Sequence, residues 1–240
     1  GNSFEGQLYY DSDGAGVFKF LAPELGAWAS GGNINTPRKG LSGFGTQTAA
    51  IAATGNTPPN TVNVESYNGS AWTEVNNVNT GKFYRGNCGV ATAGLLVGGA
   101  PATADTEEWD GSSWTETANY PASVTFPILL GTQTAAFCIG GTVGDSYVTS
   151  TNTYNGSAFT SSTAINTARG EGVGAGTTSA GVITGGNTGS VSALTEQWDG
   201  SSWTEIANMN TARETLTGNG TSTLALATGG SLNPGNSALN

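Results

Sequence analysis

The chain has 240 residues, 38 of them glycine, with 10% charged residues and a formal net charge of −10. Seven Lys and Arg in all are too few to neutralise a phosphate backbone, and the complete absence of His removes the commonest general base and metal ligand together. No apolar run approaches the ~20 residues that span a bilayer, and the recurrent Trp, Tyr and Val set the chain apart from disordered Gly-rich sequence.

The opening GNSFEGQLYY has neither a basic nor an apolar leader region, so no signal peptide is visible. EGQLYYDSDGAGVFKF then reads as a hairpin around a Gly-rich turn. Its DSDG begins like a calcium loop but lacks the later ligands, which leaves turn chemistry as the reading. Residues 1–16 are assigned as a lead-in and 17–240 as one repeat domain.

From here the chain repeats itself. Aromatic anchors stand at Trp28, Trp72, Trp114, Phe159 and Trp203, spaced by 44, 42, 45 and 44 residues. Seventeen residues after each anchor comes a Gly (45, 89, 131, 176, 220), and ten later a second (55, 99, 141, 186, 230). Those intervals never vary; all length variation falls between the second Gly and the next anchor. A fixed interval marks paired strands whose register cannot slip, and a variable one marks a loop. Each unit therefore predicts four short strands, a to d: a as in ARETLTGNG, b as in TSTLALATGG, c as in ALTEQW, then a DGS or NGS turn into d at the anchor. A second aromatic (Tyr67, Trp109, Tyr154, Trp198) precedes its anchor by five residues. Rings at constant positions are expected to pack blade against blade.

Repeated four-stranded antiparallel units make a β-propeller. The chain starts with a c–d type segment, VFKFLAPELGAW, and carries its last a–b pair up to Gly230. Five a–b and five c–d pairs, offset by half a blade, predict five blades, the last closed by N- and C-terminal strands together so that no sheet edge is left open.

Cys88 and Cys138 match no metal-ligand spacing and sit in apolar strands; two core thiols are expected, with a disulfide not decidable from spacing. No cofactor or metal site is read. The acids Glu65, Glu107 and Glu196 recur at one blade position, and Glu74, Glu116 and Glu205 at another. Recurrence serves a scaffold, whereas catalysis needs unique residues; the off-pattern acids Asp145 and Glu171 have no supporting partners, so no catalytic residues are assigned.

The basic residues are patterned too. Arg38, Lys82, Arg169 and Arg213 each follow their anchor by ten residues, and Asn35, Asn79, Asn166 and Asn210 precede them by three. With strand a lining the channel, and the d–a and b–c connections at one face, these eight residues are expected to ring the channel mouth. Two roles stay open there: contact with an anionic sugar or carboxylate, or bonds to loop carbonyls and blade carboxylates such as Glu65. The variable loops 56–62, 100–106, 142–150 and 187–193 are the expected specificity elements.

Arg213, the run LALATGG, and pairs such as Trp198 with Trp203 give the pattern its likeness: the chain resembles kelch repeats over about residues 17–240. The third unit departs, with NYPASVTFP in place of an ANMNTAR type and Val124 at the basic position; in the fourth, Phe159 replaces Trp. A copper site like that of galactose oxidase relatives is beyond a chain without His. The stretches GQLYY and LSGFGTQTAA further resemble kelch-like structural and tail-fibre proteins of marine bacteriophages. That resemblance implies a virion location and a non-catalytic surface module, a tail-fibre, adhesin or decoration protein. Its partner would be a host-cell glycan or other virion proteins, and a fibre part would be a homo-oligomer.

Overall fold

Strand pairing follows the glycine pattern. The computed structural model describes residues 31–232 and the strands Leu8–Tyr10 (β1) and Phe18–Phe20 (β2). Two compact units divide between Gly32 and Asn33. In the first unit β1 and β2 form the expected antiparallel hairpin, with Tyr9 opposite Lys19. The strand expected around Trp28 lies outside the described residues.

The second unit contains four four-stranded antiparallel sheets. Blade 1 is β3 (Ser42–Thr46), β4 (Ala49–Ala53), β5 (Val64–Tyr67) and β6 (Trp72–Val75). Blade 2 is β7 (Gly86–Val90), β8 (Ala93–Val97), β9 (Thr106–Trp109) and β10 (Trp114–Glu116). Blade 3 uses β11 (Ile128–Thr132), β12 (Ala135–Ile139), β15 (Thr151–Tyr154) and β16 (Phe159–Ser162). Its b–c connection carries a small hairpin, β13 (Thr142–Val143) with β14 (Ser146–Tyr147). Blade 4 is β17 (Val173–Gly176), β18 (Gly181–Thr184), β19 (Thr195–Trp198) and β20 (Trp203–Ile206). A two-stranded half-blade follows, β21 (Thr217–Gly220) with β22 (Ala225–Thr228).

Backbone geometry explains both invariant intervals. The first glycine opens each a–b hairpin at φ between +102° and +127°, outside the range of ordinary L-residues. A Cβ on Gly131 would lie 2.3 Å from the Ala135 carbonyl oxygen. The second glycine bonds the next blade: Gly55, Gly99, Gly141 and Gly186 donate their N–H to the carbonyls of Lys82, Val124, Arg169 and Arg213, at 2.8–3.0 Å.

The core lies between blades. Along β8, Leu95 and Val97 face blade 3, while Leu96 packs toward blade 1 with Phe44 and Ile51. On β12, Ala136 and Cys138 face blade 2, and Phe137 and Ile139 face blade 4. Sheets covered on both faces need the continuous apolar runs seen in GLLVGG and AAFCIGG. The aromatic pairs also sit at these seams: Trp109 and Trp114 have ring centroids 5.2 Å apart, with Phe44 of blade 1 edge-on to Trp114 at 6.3 Å. Phe137 of blade 3 meets Trp198 of blade 4 at 5.3 Å. Cys88 and Cys138 are both free thiols in the seam between blades 2 and 3.

The a strands lie side by side in the order β3, β7, β11, β17, β21, as in a propeller. No comparably extensive contact returns from β21 to β3 among the described strands, and β22 carries no c strand there. Among the described residues of the second unit, the architecture is thus four complete blades and a half-blade. The expected closure is not seen among the described strands, where β2 pairs with β1, and β22 with β21.

Candidate binding site at the loop end of the blades

Each d–a connection runs against the b–c connection of its own blade. Lone antiparallel bridges join Lys39 to Asn56, Phe83 to Ala100, Thr125 to Thr142, Gly170 to Asn187, and Glu214 to Ser231. Both kinds of loop therefore share one end of the second unit.

At this end the Asn-Thr-x-Arg segments act as receptors for a carboxylate of their own blade. In blade 4 the backbone N–H groups of Asn166 and Thr167 donate to Glu196 Oε2 and Oε1 at 2.7 and 3.2 Å. Arg169 Nη2 reaches Glu196 Oε1 at 2.7 Å, and Nη1 donates to the Leu194 carbonyl, also at 2.7 Å. Both side chains are wholly enclosed, and burial lowers the Arg169 pKa against the pull of Glu196. Blade 1 repeats the arrangement with Asn35, Thr36 and Arg38 around Glu65. Arg38 and Arg169 are accordingly parts of the scaffold and present no charge at the surface.

In blade 2 the role has moved three residues along. Arg85, not Lys82, makes the buried pair with Glu107 at 2.7 Å, while Asn79 donates from its backbone and its amide to the same carboxylate. Lys82 is half-buried, and its carbonyl takes the Gly55 bond. The Arg85 substitution was readable: it is the only other Arg in the chain besides those at the ten-residue offset. Blade 3 has Val124 in place of the base, and Asn152 where its neighbours place the acid. Asn152 bonds the Tyr120 hydroxyl at 2.8 Å inside the core, so base and acid have been replaced together. Asn35, Asn79, Asn166 and Asn210 are exposed, and Arg213 is half-buried with its Nη1 on the Gly229 carbonyl at 3.0 Å.

Twelve residues after each anchor stands a position absent from the sequence reading: Gly40, Tyr84, Phe126, Glu171 and Thr215. All five are left-handed, with φ of +53° to +62°. A hydrogen-bonded row joins them: Tyr84, Phe126, Glu171 and Thr215 each donate their N–H to the carbonyl of the one before, over 2.7–3.3 Å. Four non-glycine residues held left-handed is a costly arrangement, of order 1–3 kcal/mol per residue, that a surrounding structure must enforce. The residue types vary, which is why composition gave no signal; only the constant offset marks them.

This row gathers mixed chemistry. Phe83, Tyr84 and Phe126 are half-exposed, with Tyr84 4.7 Å from Phe83 and 4.5 Å from Phe126 between ring centroids. Next along, Glu171 accepts a bond from the Tyr147 hydroxyl at 2.8 Å, and Tyr147 comes from the extra β13–β14 hairpin. Burial raises the Glu171 pKa, the charge of nearby Glu214 adds to this, and Tyr147 opposes it. Glu214 is buried and holds the Asn187 amide at 2.6 Å. This end thus offers half-exposed aromatic rings in the same backbone row as a carboxylate. Among the described residues, no group of three or more His, Cys, Asp or Glu is placed to hold a metal ion.

Fold and site together define an all-β repeat domain of propeller-like architecture whose d–a and b–c connections gather at one end. No protein-family model matches the chain, and no curated protein matches it either.

Proposed function

We propose that the chain is a five-bladed, kelch-type propeller that serves as a non-catalytic surface module of a virion, a tail-fibre, adhesin or decoration part, and binds a host-cell glycan at its loop end. The observation that carries this reading is the aromatic rank Phe83, Tyr84 and Phe126 beside Glu171, held by a strained backbone row. Ring faces stack on the apolar faces of sugars, and the carboxylate accepts hydroxyl bonds. With Arg38 and Arg169 enclosed, and the Glu171 carboxyl in the same row as the rings, the favoured ligand is a neutral or amino sugar rather than an acidic one. Glu214, buried beneath Asn187, is withheld from chemistry.

A glycan array tests this with the wild-type chain, Tyr84→Ala and Arg213→Ala. Binding to neutral glycans that falls about tenfold or more in Tyr84→Ala, roughly 1.4 kcal/mol, and survives Arg213→Ala supports the reading. Absence of binding by the folded chain, or release of cleaved sugar, overturns it. The second reading, a scaffold that holds other virion or cellular proteins, is favoured by a separate observation, the exposed apolar side chains Leu224 and Leu226 at the half-blade.

A further inference from the structure

The c–d turns of the four complete blades come in two kinds. Blades 2 and 4 read Asp-Gly-Ser-Ser, from Asp110 and Asp199; blades 1 and 3 read Asn-Gly-Ser-Ala, from Asn68 and Asn155. The bonding is otherwise the same. Asp199 Oδ1 accepts the Ser201 and Ser202 N–H groups and the Ser201 hydroxyl at 2.8 Å, and its Oδ2 accepts the Ser202 hydroxyl at 3.1 Å. Asn68 Oδ1 accepts the Ser70 and Ala71 N–H groups and the Ser70 hydroxyl at 2.9–3.0 Å. Asn155 Oδ1 takes the same three donors from Ser157 and Ala158, also at 2.9–3.0 Å. Ala stands where a second Ser hydroxyl would meet an NH2 group, which cannot accept it.

Such a turn favours a carboxylate, because every group bonded to the side chain is a donor. The Ser202 N–H, then the other Ser201 and Ser202 donors, hold the Asp199 carboxyl down at about 2. The same donors suit the passage from amide to acid. A backbone nitrogen that attacks the Asn Cγ puts negative charge on Oδ1, where three donors already point. The residue that supplies this nitrogen is glycine in both turns, unhindered by a Cβ. Among the described residues, neither Gly69 nor Gly156 uses its N–H in a hydrogen bond, and Asn68 and Asn155 are exposed.

We propose that Asn68 and Asn155 are sites of self-modification, at which the folded chain deamidates to aspartate and brings all four turns to the carboxylate form. The glycine nitrogen bonds to the Asn Cγ, and the side-chain nitrogen leaves as ammonia with the proton that the glycine nitrogen gives up. Water then opens the resulting cyclic imide. Attack at Cγ yields aspartate, whose carboxylate drops into the waiting donors. Attack at the backbone carbonyl yields isoaspartate, which lengthens the main chain inside the turn and works against the bonds from the Asn68 and Asn155 N–H groups to the Ala71 and Ala158 carbonyls. Aspartate is therefore the favoured product, and each conversion adds one negative charge to the turn end of the blades.

The full chain is held folded in warm, mildly alkaline buffer and sampled by peptide mass spectrometry, beside the same chain unfolded in urea. The mass gain of an amide-to-acid exchange is expected at Asn68 and Asn155, and not at Asn152 or Asn187, which Thr follows. Aspartate should exceed isoaspartate in the folded chain and lose that lead in urea. Ser70→Ala should slow the gain at Asn68 about three- to tenfold, the worth of one exposed hydrogen bond, and leave Asn155 unchanged. Asn68→Asp, the product itself, should melt no lower than wild type. No gain at either site in the folded chain, the same product ratio folded and unfolded, a rate at Asn68 indifferent to Ser70→Ala, or a lower melting temperature for Asn68→Asp overturns the proposal.

Discussion

At the residue scale, buried charge is tolerated here only because it is answered. Glu196 accepts two backbone N–H groups and a guanidinium with no exposed area on either side chain. Truncating it leaves Arg169 charged and enclosed, so Glu196→Ala should cost about 3–5 kcal/mol in denaturant unfolding. Blade 3 shows that the whole set can be exchanged for Val124 and Asn152. The double change Arg169→Val with Glu196→Asn should therefore be less destabilising than Glu196→Asn alone, a coupling that a double-mutant cycle reads directly. Glu171 answers to the opposite sign. Its folded pKa is raised by burial and by Glu214, so the native state binds a proton more tightly than the unfolded chain does. Stability from this group is present below its unfolded pKa and declines as pH rises through the folded one. Glu171→Gln, which still accepts from Tyr147, should show no gain in melting temperature over wild type at the acid end and a gain that grows as pH rises above about 4.

At the element scale, the a–b hairpin and the inter-blade bonds depend on glycines for different reasons than loop tips do. Gly131 at φ +102° has a carbonyl 2.3 Å from where a Cβ would go, whereas Gly144, at the tip of the β13–β14 hairpin with φ +61°, has open space. Gly131→Ala should cost more than about 3 kcal/mol and Gly144→Ala about 1–2, measured by thermal unfolding. Strands a to d in four blades, their turns and the seam-facing rings were legible because period and pleat leave marks in residue type. The DGS and NGS turns show why: Asp110 and Asp199 each take the N–H groups of two following residues, and those bonds hold both carboxyl pKa values low. The loop-end site was legible only in part. The constant offset of Arg38 and Arg169 was visible, but an offset does not say which way a side chain turns. The left-handed row was hidden because backbone conformation there overrides residue preference, as Tyr84, Phe126 and Glu171 demonstrate.

For the second unit as a whole, each apolar cluster is shared by two neighbouring blades, so stability should fall toward β21 and β22, where Leu224 and Leu226 stand exposed. Native-state hydrogen exchange should find the slowest amides in β8 and β12 and the fastest ordered ones in β21 and β22. The alternation of Leu95 and Leu96 to opposite neighbours predicts the same order of loss in urea.

The repeated ion-pair receptor has a consequence for how a new chain assembles. Segments TEEWDGSSWTE and TEQWDGSSWTE differ at a single place, and each offers the same Glu to an Arg. While the chain is still searching, the c–d hairpin of blade 2 is an acceptable partner for the a–b hairpin of blade 4, and the reverse. Kinetic traps with exchanged hairpins follow from that degeneracy. Blade 3, with Val124 and Asn152 between them, recognises neither hairpin by charge.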